Sequence, residues 1–110
     1  KPSNIFLTTD GSVKLMDFGL ARAITDPGHR TRTGVIAGTP CYMSPEQFEA
    51  KDSIGPCTDV YSAGVVLYEA LTGRLPFLAD SPLATMHQVL TGDPVSPRRL
   101  NPSIPRDVET

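Results

Sequence analysis

No stretch of the 110-residue chain approaches the run of about eighteen apolar residues that a membrane-spanning helix needs. The longest apolar run, residues 63–71, is broken by Glu69 and suits a buried helix instead. A basic excess is also missing. Ten Lys and Arg against twelve Asp and Glu leave a net charge of −2 and a pI near 5.5. That balance argues against a dedicated nucleic-acid surface, which needs a basic face. Cysteine is scarce: Cys41 and Cys57 stand sixteen positions apart, a spacing that makes neither a metal site nor a disulfide framework. Free thiols in a reducing cytoplasm are the expectation. The chain also opens on Lys1-Pro2, without a start methionine or a signal peptide. At the other end, residues 103–110 read as a helix start, with Ser103 as its cap and Pro105, Asp107 and Glu109 in its first turn. Both ends suggest a piece of something larger.

What is present is a globular composition, 39% hydrophobic and 20% charged, which excludes a disordered tail. Two β-prone runs, Ile5-Phe6-Leu7-Thr8 and Val13-Lys14-Leu15-Met16, flank Asp10-Gly11, and that dipeptide predicts a hairpin. Residues 19–44 carry Pro27, Gly28, Gly34, Gly38 and Pro40 without apolar period, which predicts a long loop, functional or disordered. A short helical turn is expected over 45–50, opened by Pro45. Residues 58–71 give the strongest helix signal, with Thr58 as cap, Asp59 at the positive end and Gly73 past the last turn. Its apolar residues form two stripes, Val60-Gly64-Leu67-Leu71 and Ala63-Val66-Ala70, so burial on most sides is expected. A second helix is predicted from Pro82 to Thr91 behind the cap Ser81, and a proline-rich extended connector after it.

The chemistry centres on Asp17-Phe18-Gly19, directly after the second strand, and on Asn4, thirteen residues upstream and just ahead of the first. A hairpin brings an amide oxygen and a carboxylate to the same end of two paired strands. Both are hard oxygen donors, suited to Mg²⁺ carried in with substrate phosphates.

Residues 1–46 resemble the stretch of a eukaryotic-type serine/threonine protein kinase, of bacterial style, that runs from the catalytic loop through the activation segment. The family pattern is His-Arg-Asp-Leu-x-x-x-Asn, then Asp-Phe-Gly, then Ala-Pro-Glu. Here these appear as Lys1-Pro2-Ser3-Asn4, Asp17-Phe18-Gly19 and Ser44-Pro45-Glu46, with Ser44 in place of alanine. Asp59-Val60-Tyr61-Ser62-Ala63-Gly64 and Leu71-Thr72-Gly73-Arg74-Leu75-Pro76-Phe77 resemble the start and exit of the family's central helix. The resemblance implies an α+β fold over residues 1–110: part of the mainly helical large, C-terminal lobe of a kinase, with a small β-hairpin, truncated at both ends. It implies ATP and Mg²⁺ as cofactors, with Asn4 and Asp17 as metal ligands, Phe18 as an apolar anchor and Gly19 as a joint. Lys1 would neutralise charge on the transferred phosphoryl group, and Thr39 would align the acceptor hydroxyl. Thr31 and Thr33 would be activating phosphosites, modified by another kinase molecule, with Arg22 as a phosphate partner. Asp59 would brace the catalytic loop. Glu46 would pair with an arginine beyond Thr110.

Protein serines and threonines are thus the expected substrates, and nucleic acid is not an expected partner. The segment is expected to be cytoplasmic, with any membrane anchor outside it. The catalytic aspartate would precede Lys1, and the glycine-rich loop lies further upstream, so the chain alone is expected to be inactive. Two other classes compete. A pseudokinase scaffold would keep the fold without catalysis, against which the intact Asn4, Asp17 and Thr39 weigh. An independent interaction domain would have to fold alone, against which the apolar helix weighs. Other residues carry less. His29 and His87 have no nearby ligands, the cluster His29-Arg30-Thr31-Arg32 reads as a solvated loop, Cys41 reads as a packing residue, and Met16 reads as core.

Overall fold

A computed structural model of the chain describes residues 1–16, 40–49 and 55–109. The chain divides into two compact units, 1–37 and 38–110.

In the first unit a 3-10 turn, Pro2–Asn4, feeds strand β1 (Ile5–Leu7), which pairs antiparallel with β2 (Val13–Leu15). Ile5 faces Leu15 and Leu7 faces Val13. The predicted hairpin is present, with each strand one residue shorter than its apolar run. Gly11 takes a positive φ of 82°, the conformation for which glycine carries no steric penalty. Asp10 organises the turn by accepting hydrogen bonds from the Thr8 hydroxyl and, at 3.0 Å, from the Ser12 N–H. These donors, the Thr8 hydroxyl foremost, lower the Asp10 carboxyl to about 2. The turn therefore keeps its charged acceptor in acid, and loses that contribution only as pH falls from about 4 through about 2. Met16 is 57% exposed, which corrects its assignment to the core. Val13 and Leu15 are exposed beside it, because a two-stranded sheet supplies no second layer of its own.

The second unit begins with a 3-10 turn, Pro40–Tyr42, followed by the short helix α1 (Pro45–Phe48). Ser44 precedes α1, and its N–H donates to the Gln47 side chain at 2.9 Å, as in a capping box. The long helix α2 spans Pro56–Thr72. It starts two residues before the predicted cap. Gly55 holds the N-cap position and Pro56, lacking an N–H, occupies the first turn, so Thr58 lies inside the helix and is buried. Gly73 ends it in the left-handed conformation, φ 71°, as expected. Helix α3 (Pro82–Thr91) matches its prediction at both ends, with Ser81 Oγ accepting the Ala84 N–H at 3.2 Å. The connector is not wholly extended, since it contains α4 (Pro97–Leu100). A final turn, α5 (Arg106–Glu109), starts after Pro105, and the Ser103 hydroxyl bonds Asn101 rather than capping it.

The 3-10 turn Pro40–Tyr42 packs against both α2 and α3, and α1 packs on α3. Cys41 is buried there as a packing residue, as expected. Val65, Val89 and Ile104 complete the buried apolar set among the described residues. The α2 stripe expected to be buried is not: Val60 is 72% exposed and Leu67 52%. The buried face carries Thr58 and Val65 instead.

So few buried apolar side chains against so many exposed ones predict a broad, non-cooperative thermal transition for the isolated 110-residue chain. Differential scanning calorimetry checks this, and a sharp two-state transition would contradict it.

Candidate active site

Two sets of candidate residues are positioned by the structure, one in each unit. In the first, the Asn4 N–H donates to the Lys1 carbonyl at 3.0 Å, closing the 3-10 turn that holds both residues. The Asn4 carbonyl in turn accepts the Met16 N–H at 2.8 Å. This bond extends the hairpin ladder one step beyond Ile5 and Leu15, and it fixes Asn4 beside the residue that precedes Asp17. Asn4 is half-buried and Lys1 exposed. The amide oxygen of Asn4 is a hard neutral donor of the kind Mg²⁺ takes. Among the described residues, no group of three or more His, Cys, Asp and Glu comes together as a metal site. The remaining candidates of the first set, Asp17, Phe18, Gly19 and Arg22, lie outside the described residues, as do Thr31, Thr33, Thr39 and His29.

In the second unit, the segment 42–46 is tied to α2 by hydrogen bonds spread over more than two turns of helix. The Thr58 hydroxyl donates to Glu46 Oε1 at 2.8 Å. Ser44, with none of its surface exposed, lies 3.4 Å from the Thr58 hydroxyl and 3.3 Å from Gln47 Oε1. Ser62 Oγ donates to the Tyr42 carbonyl at 2.8 Å, and the Tyr42 hydroxyl donates to Glu69 Oε2 at 2.7 Å. Thr58, Ser62, Val65 and Glu69 follow the spacing i, i+4, i+7, i+11, so all four share one helix face. Glu46 thus has a partner inside this chain.

Burial raises the Tyr42 phenol well above its ordinary value, and the hydrogen bond to Glu69 raises it further because it requires the phenol proton. Burial also raises the Cys41 thiol, helped by the negative charge of Glu69, so this cysteine is a poor nucleophile. Tyr61 is raised by burial and by the Glu46 carboxylate. Asp59 is exposed in the first turn of α2, and His87 is exposed on α3 with Thr91 as its neighbour at 3.4 Å.

The protein kinase domain family matches residues 1–107. This chain belongs to that family. It is 45% identical over 109 residues to serine/threonine-protein kinase PknB of Mycobacterium leprae, an alignment covering 99% of this chain and 17% of that protein. PknB of Mycobacterium tuberculosis is 44% identical over 110 residues, and serine/threonine-protein kinase PknL of the same organism is 50% identical over 93. The chain spans about a sixth of the length of the PknB relatives. The kinase-family fold class read from the sequence is borne out: mainly helical, with a two-stranded antiparallel sheet.

The sequence reading placed Ser62 within a kinase motif but gave no role to it, to Tyr42 or to Glu69. The signal was available in the helical spacing of Thr58, Ser62 and Glu69, a polar stripe on a helix otherwise read by its apolar residues. A kinase-family chain that binds its segment end this way should lose stability when the stripe is cut. In the complete protein, Thr58→Ala should cost about 1.5–3 kcal/mol, the usual worth of a hydrogen bond to a charged group. Thr58→Ser should restore most of it. Urea unfolding monitored by circular dichroism checks both, and equal stability of all three forms would contradict the assignment.

Proposed function

We propose that the protein containing this chain transfers the γ-phosphoryl group of ATP to serine and threonine hydroxyls of other proteins. The observation that carries the reading is the Asn4–Met16 backbone bond, because it sets Asn4 against the position from which Asp17 follows. Kinship with proteins named serine/threonine-protein kinases supports catalysis over a scaffold that only binds partners.

In this reading Asn4 and Asp17 would hold Mg²⁺, whose charge, when bound, offsets that of the β- and γ-phosphates. The Lys1 ammonium, in the same 3-10 turn as Asn4, opposes the charge that shifts during transfer. Thr39 would orient the acceptor hydroxyl, and Phe18 and Gly19 would support Asp17. The bonds from Tyr42, Ser44 and Glu46 to α2 keep the substrate-seating segment at a fixed place on the helix. Thr31 and Thr33 are activating phosphosites, reached by a second copy of the kinase, and Arg22 receives their phosphate. No helix among the described residues is long and apolar enough to cross a membrane. The ATP that the reaction would consume supports a cytoplasmic setting for this segment.

In the complete protein, Asp17→Ala should abolish phosphotransfer while leaving the melting temperature nearly unchanged, and Asn4→Ala should be similar or milder because it removes a neutral ligand. Turnover with a peptide substrate, measured beside thermal melting, checks this. Near-normal turnover by a folded Asp17→Ala protein would defeat the metal assignment.

The phosphosites have their own test. Phosphatase treatment should lower wild-type activity, and the Thr31→Ala/Thr33→Ala double variant should start low and not respond. If phosphatase leaves the wild type unchanged and the double variant matches it, no switch resides at these positions.

A further inference from the structure

The α4–α5 corner contains a serine whose hydroxyl is held by a carboxylate, a contact that the phosphotransfer reading does not use. Ser96 stands at the N-cap position of α4, at the end of the exposed residues Gly92, Asp93, Pro94 and Val95. Its hydroxyl donates to Glu109 Oε1 on α5, and the same oxygen accepts the Arg98 N–H at 3.0 Å. Glu109 thereby fastens α5 to the start of α4. Two arginines, Arg98 and Arg99, follow it within three residues.

We propose that Ser96 is a phosphorylation site and that phosphate there releases Glu109, and with it α5, from α4. The chemistry of the contact decides the direction. The hydroxyl is the donor in the Ser96–Glu109 bond, and phosphorylation removes its hydrogen. A group carrying about −1.5 to −2 charge then faces a carboxylate at hydrogen-bond distance. That carboxylate is anionic near neutral pH, because its bonds from Ser96 and from the Arg98 N–H hold its pKa below the usual glutamate range. Acceptor meets acceptor and like charge meets like. The phosphate oxygens take the Arg98 N–H that Glu109 now holds, with the charges of Arg98 and Arg99 close in sequence.

The rest of the corner stays in place. Arg98 Nε donates to the Ile104 carbonyl at 2.9 Å, and Ile104 is 4% exposed, so the turn between α4 and α5 keeps its own anchor. The residues before Ser96 are exposed and without helix or strand, the form in which a kinase site accepts a peptide segment. In the transfer the Ser96 Oγ–P bond forms, the bond from γ-phosphorus to the β,γ-bridging oxygen of ATP breaks, and ADP leaves. The serine proton passes to the base of the modifying serine/threonine kinase.

The test uses the complete protein in two arms. Phosphopeptide mass spectrometry of protein purified from its own cells, and of the same protein after incubation with ATP and Mg²⁺, should find phosphate on Ser96. Protein with phosphoserine incorporated directly at position 96 should show amide hydrogen exchange about a hundredfold faster over 106–109, the effect of losing both charge-assisted hydrogen bonds that Glu109 accepts. Ser96→Ala should give a smaller increase, since it removes the donor without adding charge. Absence of phosphate on Ser96 in both samples overturns the proposal. So does unchanged exchange in the phosphoserine form, or an equal increase in Ser96→Ala. The incorporated phosphoserine requires no activity of the protein itself, so failure of the phosphotransfer reading is told apart from failure of this one.

Discussion

The polar stripe on α2 is the constraint from which the second unit is built. Thr58, Ser62 and Glu69 receive or supply bonds to Glu46, the Tyr42 carbonyl and the Tyr42 hydroxyl. A hydrophobic contact would let the segment 40–46 slide by a rotamer or a register. Hydrogen bonds at three heights along a rigid helix do not, because each has a narrow range of distance and angle. Burial strengthens the demand: Ser44 and Thr58 are nearly closed to water, so the polar atoms around them must be satisfied within the protein. Among the described residues every buried side-chain polar atom is.

The two candidate regions use different devices for the same end. The hairpin places Asn4 through its backbone, by one ladder bond beyond the strands, which uses the main-chain carbonyl rather than the amide side chain. The α2 stripe places Tyr42 and Glu46 through side chains, which commits those residues to structure. The division suits the roles proposed above: a ligand must keep its oxygen available, whereas a seat for a substrate must be held still.

Much of the fold was legible in the sequence because local signals governed it. Asp10-Gly11 set the hairpin, Ser81 and Gly92 bounded α3, and Gly73 closed α2, each through chemistry within a few residues. The start of α2 was misread because Thr58, a good cap in isolation, is wanted by Glu46 from another element. The buried face of α2 was misread for a related reason. Apolar periodicity picked out Val60 and Leu67, while three of the four residues facing the segment are polar and carry no hydrophobic signal. Met16 followed the same error, since an apolar residue at the end of a thin sheet has no layer to enter. In the site, family motifs located Asn4 and Glu46, but the Tyr42–Glu69 bond joins residues 27 apart and no local pattern announces such a pair.

That separation has a bearing on the order in which the chain acquires structure. The hairpin closes between residues at most a dozen positions apart, so it can form as soon as Met16 is available and with little loop-closure entropy to overcome. The bonds that organise the second unit span 27 residues from Tyr42 to Glu69, 27 from Tyr68 to Val95 and 30 from Leu71 to Asn101. On a growing polypeptide the segment 40–46 therefore waits, with its polar groups hydrated, until the whole of α2 has left the ribosome. The segment 40–46 is therefore set later than its place ahead of α2 in the chain would suggest.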